Sequence, residues 1–389
     1  MHEESKSEHA SPAAPGVTGA AARNGHLHAE DVAVETLLGR SVIDVSGTFG
    51  EYLADATVLV TGAGGSVGVE LCARLARLGV RELVLLDHAE APLVALARAL
   101  HQEVGFANAV CVLGDIKSRT RMFDVFERHR PDVAFHAAAY KHVPLLEASP
   151  VEGVATNVLG TKSIVDAARR AGVGRFVLFS TDKAVQPTSI LGQTKSIAEW
   201  IVATNGSEPG QGRYASVRLG NVVDSAGSIL PLFRDQVARG GPVTVTDPNA
   251  TRYLLTAGEA ADLAIVAGCL ADSESVFWLD SGPPVPILEL ARRIASTASY
   301  EVDVDFVGLR AGERLHEQLF SSSDEVEVTP CDRVWRAAMH KVDVAWLDRW
   351  LAVLERHVQG ASVVGVRAAL AAMHSAPERQ VIATTIAAR

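Results

Sequence analysis

The chain has 389 residues, 48% of them hydrophobic, which is enough for two to three domains or one large α/β domain with insertions. Its 36 Lys and Arg residues face 46 Asp and Glu residues, and the formal charge of −10 excludes a generally basic surface for nucleic acid. The four cysteines form no CxxC pair and no apolar run is long enough to cross a bilayer, which predicts a cytoplasmic protein with reduced thiols and no membrane insertion.

The order of apolar and polar residues predicts an α/β fold. Residues 1–30 lack periodicity and predict a disordered tail, followed by a lead-in over residues 31–56. Over residues 57–220, the expected strands are TVLVT, ELVLLD, AVCVLGD, DVAFHAA and RFVLFST, and the helices include VELCARLARLG, APLVALARALHQEV and KSIVDAARRAG. Because apolar strands separated by helices are typical of parallel sheets buried on both faces, we predict a doubly wound parallel sheet of the Rossmann type.

The second half of the chain is less regular. Ser149, Pro150 and Glu152 combine an N-cap hydroxyl, a first-turn proline and a glutamate three residues after the cap, which predicts the start of a long helix. We expect residues 221–340 to form mainly a smaller substrate-binding part, and residues 341–389 to close the chain with helices near 342–357 and 365–373. Apolar helices at sheet edges favour a homo-oligomer.

A glycine-rich turn, TGAGGSVG, follows the first strand and opens the first helix. Gly62 permits the tight turn, Gly65 lets a diphosphate approach the backbone, and Gly68 lets the helix pack closely on the sheet. The first helical turn, with Ser66 and Val67, offers that diphosphate free N–H groups and a partial positive charge. Strand, turn and helix together predict a dinucleotide site.

Two carboxylates follow the next two strands. Asp87 can accept hydrogen bonds from the adenosine ribose hydroxyls, or it can simply cap the next helix. Because a carboxylate would repel a ribose phosphate and no arginine follows immediately, NAD is favoured over NADP. Asp115 is placed to meet the adenine amino group or to act only as a turn residue. Ile116 and Ala137 complete the predicted cofactor contacts.

Polar residues gather after the fifth strand, in STDKAV and in the following LGQTK. Reacting groups in open α/β sheets collect at the carboxyl ends of strands, so Thr181, Asp182 and Lys183 would face the nicotinamide. Lys195 would hydrogen-bond the nicotinamide ribose and lower the pKa of neighbouring hydroxyls. The alternative for Asp182 is an ordinary salt bridge with another cation.

These motifs carry a family resemblance. The chain resembles the C5-inverting UDP-N-acetylglucosamine 4,6-dehydratases, which are nucleotide-sugar enzymes of polysaccharide biosynthesis in the extended short-chain dehydrogenase/reductase superfamily. The resemblance runs from Leu37 to about Trp335 through LLGR, HAAAYKHVPLLEASP, NVLGT, STDKAVQPT, VRLGNV, GSILPLF, GGPVTVTDPNATRY and GLRAGERLHE. Many members carry membrane helices and an extra domain ahead of this catalytic portion, and the chain resembles that portion alone.

The resemblance implies oxidation of the sugar at C4 with NAD as hydride acceptor, loss of water across C5 and C6, and return of the hydride to C6. It assigns Lys183 as the base at C5, and Asp182 as its assistant in proton transfer to the leaving group. A lysine base needs a lowered pKa, which burial and the cationic nicotinamide would favour. Leu191 stands where the superfamily has a tyrosine that removes the C4 hydroxyl proton. Thr181 with Asp182, or a water held by Lys195, could replace that tyrosine.

Substrate contacts are expected from polar residues outside the catalytic strand. The resemblance carries a lysine after the fourth strand into the site, and an asparagine after the sixth strand can bond a uracil or a phosphate. Two arginines suit bidentate diphosphate binding, with a glutamate near a ribose, and surface ion pairs are their alternative. The candidates are Lys141, Asn221, Arg252, Arg310 and Glu313.

The sequence therefore predicts a 4,6-dehydratase that acts on a UDP-N-acetylhexosamine with tightly bound NAD. A C4 or C5 epimerase is an alternative that shares the oxidation step, but the Asp182 and Lys183 pair favours elimination. A catalytically silent subunit that binds NAD or a nucleotide sugar is a second alternative, which Leu191 suggests. Retention of Asp182, Lys183 and Lys195 argues against it. No metal site is expected.

Overall fold

The computed structural model describes residues 34–375, except residues 46, 48, 206–211, 273–274 and 340–341. The tail predicted over residues 1–30 lies outside the described residues, as does the end of the chain after residue 375. The four cysteines are free thiols, and Cys72 and Cys331 are buried.

The strands occur where short Val- and Leu-rich runs are buried. In chain order they are β1 (Thr57–Thr61), β2 (Glu82–Asp87), β3 (Ala109–Leu113), β4 (Val133–His136), β5 (Arg175–Thr181), β6 (Arg213–Leu219), β7 (Asn221–Val222), β8 (Val243–Val245), β9 (Thr251–Arg252), β10 (Leu254–Leu255), β11 (Ser275–Leu279), β12 (Val285–Pro286), β13 (Val304–Phe306), β14 (Val326–Val328) and β15 (Val334–Ala338). The first five match the five expected runs, with β3 and β4 trimmed at their ends.

The helices fill the intervals between these strands. They are α1 (Val34–Leu38), α2 (Ser66–Arg77), α3 (Glu90–Glu103), α4 (Arg119–His129), α5 (Val143–Ala148), α6 (Pro150–Val154), α7 (Thr161–Ala171), α8 (Ile190–Asn205), α9 (Ile229–Ala238), α10 (Ala257–Leu270), α11 (Ile287–Ala295), α12 (Val344–Gln359) and α13 (Val363–Ser375). None of these described helices is both long and apolar enough to span a bilayer.

Within the described residues, nine strands form the main sheet, in the order β14-β15-β11-β6-β5-β4-β1-β2-β3. The seven strands from β11 to β3 run parallel, and β15 and β14 add an antiparallel edge. The predicted parallel sheet is thus confirmed. The part of the chain after residue 220 contributes β11, β14 and β15 to this sheet, so it is not spatially separate from the parallel core.

Helices cover both faces of the sheet, as the apolar strands required. On β1, Leu59 packs into a cluster with α4, α7, α8, α12 and α13. Its neighbours Val58 and Val60 point the other way, into a cluster with α2, α3 and α10. Because successive side chains of a strand alternate between faces, this fully buried strand needs apolar residues at every position.

The helix expected after Ser149 begins at Pro150, but it is interrupted. A π-helical segment, Ala155–Gly160, joins α6 to α7. The expected capping bond from the Ser149 side chain is absent among the described contacts, because Ser149 also ends α5 and its N–H donates to the Leu145 and Leu146 carbonyls. π-helical segments often occur at functional sites, and this one lies beside the loop that follows β4.

The lead-in segment is fastened to the smaller part of the molecule. Leu37 and Leu38 enter a third apolar cluster with α9, α11 and β8. The Arg40 guanidinium pairs with Glu259 at 2.5 Å and donates to the Leu254 carbonyl at 2.9 Å. Glu259 also completes a capping box with Thr256 at the start of α10. The LLGR motif therefore has a structural function, because it joins the lead-in to the start of α10.

Candidate functional site

The predicted cofactor site lies where the strand order reverses, between β1 and β4. In doubly wound sheets, the connections that follow the two strands at such a point lead away in opposite directions, and a crevice for a ligand is left outside the carboxyl ends of the strands. Gly62 turns the chain after β1 with φ +66°, and a Cβ there would lie 2.7 Å from the Ala138 nitrogen. Ala137 follows β4 and its N–H donates to the Thr61 carbonyl at 3.1 Å. Only glycine allows the two loops to approach this closely.

The first turn of α2 closes this crevice. Gly65 is the N-cap and supplies no side-chain cap, so the first helical N–H groups, including those of Ser66 and Val67, face outward from the helix end. A Cβ on Gly68 would lie 2.2 Å from the Gly62 carbonyl oxygen, so the turn and the helix fit together only with glycine here. Uncapped N–H groups and a close backbone approach fit a diphosphate.

Asp87 stands at the end of β2 beside the glycine turn and is 6% exposed. One carboxylate oxygen accepts the Gly64 N–H at 2.9 Å, and the other accepts the Ala89 N–H at 2.9 Å. Each oxygen retains a lone pair for a further donor. Asp87 therefore shapes the turn, and its predicted contact with a ribose stays a prediction.

Asp115 and Ile116 follow β3 on the same side of the sheet. The Asp115 carboxylate accepts the Lys117 N–H at 2.9 Å, which is the contact of a turn residue. Ile116 is buried, and its side chain occupies the space that a Cβ on Gly160 would need. The proposed contact of Asp115 with adenine stays a prediction.

A buried histidine that the sequence analysis did not single out lies under the crevice. Thr161 Oγ1 donates its one proton to the Asn157 carbonyl at 2.8 Å, so toward His136 Nε2, at 3.0 Å, it must accept. His136 Nδ1 therefore accepts from Thr61 Oγ1 at 2.7 Å. The neutral imidazole, protonated on Nε2, thus joins β1, β4 and α7 beneath the site.

The neutrality of His136 gives a pH dependence of stability. Burial, and secondarily the Lys195 charge, lowers its pKa to about 3. Because the unfolded chain protonates it near pH 6.5 while the folded chain does not, its contribution is complete above pH 6.5 and is lost as the pH falls toward 3, at about 1.4 kcal/mol per pH unit. Urea unfolding of the wild type should show a steeper acid loss than His136→Gln, which keeps a neutral donor and acceptor. Parallel pH curves would contradict this.

The predicted catalytic residues meet after β5, at a 3₁₀ turn over Asp182–Ala184 that is called the catalytic turn below because of this prediction. Asp182 is fully buried, and one of its oxygens accepts the Thr181 hydroxyl and the Lys183 ammonium, each at 2.9 Å. The same ammonium donates to Asn221 Oδ1 at 3.1 Å. The second oxygen of Asp182 has no hydrogen-bond partner within the described residues. The structure thus brings four predicted residues together and leaves a buried acceptor free.

Glu317 completes this cluster and was not predicted. Its carboxylate lies 3.7 Å from Lys183 Nζ, and Glu317 is 6% exposed. Burial raises the pKa of Glu317, Lys183 opposes the rise and Asp182 adds to it. Its only sequence signal was its position as the last residue of the GLRAGERLHE motif. Two buried carboxylates therefore flank one ammonium.

Lys195 is buried in α8 with 4% exposure, and no hydrogen bond or ion pair reaches its ammonium within the described residues. Burial lowers its pKa to about 8, an effect that Glu199, one turn further along, opposes. One turn before it, Leu191 is 5% exposed and packs in the apolar cluster. No titratable side chain takes the place of the missing tyrosine at that position, and the unpartnered ammonium is suited to ligand hydroxyls.

The predicted substrate residues lie in different settings. Lys141 is exposed in the loop after β4. The Arg252 guanidinium is buried and donates to the carbonyls of Thr251, Arg314 and Leu315. Arg310 and Glu313 pair with each other at 2.7 Å, and Arg310 is exposed. Arg252 therefore anchors the 310–317 loop, and the predicted diphosphate contacts of both arginines stay predictions.

Asn157, in the π-helical segment, is a further positioning residue that the sequence analysis missed. Its amide forms two hydrogen bonds with the Tyr140 backbone, at 2.9 and 3.0 Å, and donates to Thr194 Oγ1 at 3.2 Å. It thereby holds the loop after β4 against α8. The signal available in the sequence was its place in the NVLGT motif.

Sequence comparison identifies relatives that are described as polysaccharide biosynthesis proteins. The chain is similar to the capsular polysaccharide biosynthesis protein CapD of Staphylococcus aureus, with 38% identity over 317 residues, 80% of this chain and 52% of that protein. It is similar to the probable polysaccharide biosynthesis protein EpsC of Bacillus subtilis, with 40% identity over 299 residues, 76% of this chain and 50% of that protein. The chain spans about half the length of these curated relatives.

Solved structures share the fold. Pen from Bacillus thuringiensis has a TM-score of 0.68 and 27% identity, over 73% of this chain and 88% of that one. The dTDP-glucose 4,6-dehydratase DesIV of Streptomyces venezuelae, a double mutant with NAD and DAU bound, has a TM-score of 0.60 and 22% identity, over 67% and 87%. The NAD complex of Thermus thermophilus UDP-glucose 4-epimerase has a TM-score of 0.59 and 22% identity, over 68% and 90%.

The family model described as polysaccharide biosynthesis protein matches residues 58–339, which include the glycine turn, the catalytic turn and Glu317. The sheet order and the flanking helices are those of the extended short-chain dehydrogenases/reductases. The chain therefore belongs to the polysaccharide biosynthesis protein family and has the extended short-chain dehydrogenase/reductase fold.

Proposed function

We propose that the chain is an NAD-dependent nucleotide-sugar 4,6-dehydratase that acts on UDP-N-acetylglucosamine and inverts C5. The observation that supports this most is the buried pair of Asp182 and Lys183 at the carboxyl end of β5. A carboxylate and an amine in one buried site can supply the acid and the base that elimination of water requires. The product would be a 4-keto-6-deoxy sugar.

The residues of the crevice fit a dinucleotide. Gly62, Gly65 and the first turn of α2 would hold the diphosphate, and Asp87 would accept from the adenosine ribose. The buried, unpartnered Lys195 ammonium would donate to the nicotinamide ribose. Bound NAD would supply a hydride acceptor for the oxidation at C4 and, in its reduced form, a hydride donor for C6. The Asp87 carboxylate favours NAD over NADP because it would repel a ribose phosphate.

The residues of the catalytic turn would move the protons. The Lys183 amine would accept the C5 proton, which the C4 ketone acidifies, and Asp182 would assist proton delivery to the departing C6 oxygen. The Thr181 hydroxyl orients Asp182 through its 2.9 Å hydrogen bond. Because Leu191 is packed in the core, the C4 hydroxyl proton would pass to Thr181 and Asp182 or to a water held by Lys195.

Proton NMR of UDP-N-acetylglucosamine incubated with the protein in deuterated water tests this proposal. We expect a new C6 methyl signal with deuterium at C5, and the product's ring couplings would show inversion. An intact C6 hydroxymethyl on a changed ring would instead identify an epimerase. An unchanged spectrum, also with other nucleotide sugars, would indicate a binding subunit and overturn the proposal.

A further inference from the structure

Glu317 is held at the catalytic turn by contacts on both sides of it. Before it in the chain, Arg252 donates to the carbonyls of Arg314 and Leu315, at 2.8 and 3.0 Å. The Arg314 guanidinium reaches back to the Val185 carbonyl, one residue after the catalytic 3₁₀ turn, at 3.0 Å.

After Glu317, the Arg218 guanidinium donates to the Leu319 carbonyl at 3.2 Å. Arg218 is itself buried on β6, the strand next to β5. The segment that carries Glu317 is thus fastened to the sheet as well as to the catalytic turn, so the position of its carboxylate is determined by the fold.

The two carboxylates beside Lys183 are not equivalent. The Asp182 oxygen that faces the ammonium already accepts two hydrogen bonds, from the Thr181 hydroxyl and from Lys183. Glu317 accepts no hydrogen bond within the described residues, although the second oxygen of each carboxylate is buried without a partner. Of the two, Glu317 is therefore the one that gains more from taking up a proton.

A lysine can accept the C5 proton only as the neutral amine, and Lys183 lies beside two carboxylates as an ammonium. We propose that Glu317 is a positioning residue that takes the surplus proton of Lys183 and leaves the amine free to act as the base. An N–H bond of Lys183 breaks and an O–H bond of Glu317 forms. One positive and one negative charge disappear together, so the net charge of the buried cluster is unchanged. This inference rests on the proposed function.

The surroundings of Glu317 support a proton acceptor. The charged groups that face it are Lys183 and Asp182 of the catalytic turn, Arg252 of β9 and Arg314 of its own loop. Burial raises its pKa above that of an ordinary glutamate, and the three cations oppose this rise. A carboxylate with a raised pKa accepts a proton from an ammonium more readily than an exposed one does.

The test is the pH dependence of kcat in Glu317→Gln, with Glu317→Asp as the conservative variant and Glu327→Gln as the control. Glu327 is an exposed carboxylate on β14 that pairs with Arg336 outside the site. In Glu317→Gln the ammonium must lose its proton to water. We therefore expect kcat near pH 7 to fall about 10²-fold or more and to recover as the pH rises, with KM unchanged.

Reduced nicotinamide should accumulate when this variant meets the sugar, because oxidation at C4 does not need Glu317. Glu317→Asp keeps the carboxyl group, so its kcat should lie between those of the wild type and Glu317→Gln, and its pH profile should be that of the wild type. Glu327→Gln should match the wild type throughout.

A wild-type pH profile and kcat in Glu317→Gln would overturn the inference while leaving the dehydratase proposal intact. If Glu317→Gln fails to fold, as judged by circular dichroism, Glu317→Asp decides: an alkaline shift of its profile would overturn the inference, because the carboxyl group is still present. Absence of product with the wild-type protein would overturn both proposals.

Discussion

Replacing Lys183 by alanine is expected to abolish deuterium incorporation at C5 and to lower formation of the 6-deoxy sugar by about 10²- to 10⁴-fold, the usual contribution of a positioned base. The structure supports this because the Lys183 ammonium lies within 3.1 Å of both Asp182 and Asn221, in a cluster that the fold buries. Proton NMR in deuterated water measures both quantities in one experiment.

The binding of NAD to Lys183→Ala should be unchanged, because the glycine turn and Asp87 lie at the ends of other strands. Lys162→Ala is a matched control, since this lysine pairs with Asp166 on the surface of α7. The control should keep wild-type exchange and product formation. Retained exchange at C5 in Lys183→Ala would exclude Lys183 as the sole base.

The second large effect concerns stability. Arg218→Ala is expected to lower the free energy of unfolding by about 3 to 5 kcal/mol, because it removes the cation that pairs with the buried carboxylate of Glu199. Arg218 is 4% exposed, pairs with Glu199 at 2.8 Å and lies 3.6 Å from Asp324. Ser180, two residues before the catalytic turn, also donates to Glu199, at 2.5 Å.

Urea unfolding of Arg218→Ala beside Arg336→Ala checks this expectation. Arg336 pairs with Glu327 and Asp272 on the exposed antiparallel edge, so its removal should cost about 0 to 1 kcal/mol. Equal decreases in the free energy of unfolding of the two variants would show that the buried ion pairs of Arg218 stabilise the protein no more than an exposed pair does. Because Arg218 also holds the Leu319 carbonyl, its loss should reduce turnover as well.

The buried network of Arg218 and Glu199 connects stability to the site. Glu199 lies one turn after Lys195 on α8 and opposes the pKa decrease that burial causes in that lysine. Ser180 and Arg218 hold Glu199 in place from β5 and β6. The three residues thus form one support behind the catalytic turn, and none of them was singled out from the sequence.

Much of the parallel sheet could be predicted from local patterns. A strand buried on both faces needs continuous apolar residues, so β1, β2 and β5 are recognisable without any neighbour. The glycine turn is also recognisable locally, because it stands between a strand and a helix and Gly68 must approach the Gly62 carbonyl within it, although Gly62 itself meets Ala138, which follows β4. The edge strand β14, with only three residues, gives no comparable signal.

The sequence by itself therefore determined the strands of the parallel sheet, the glycine turn and the turn with Asp182 and Lys183, because each depends on residues close together in the chain. Tertiary structure alone decided that Glu317 stands at 3.7 Å from Lys183, since the two are far apart in sequence and meet only after the loop is anchored by Arg252. It also decided that Arg252 holds backbone carbonyls. A guanidinium suits carbonyls and phosphates equally, so its partner depends on which oxygens the fold places around it.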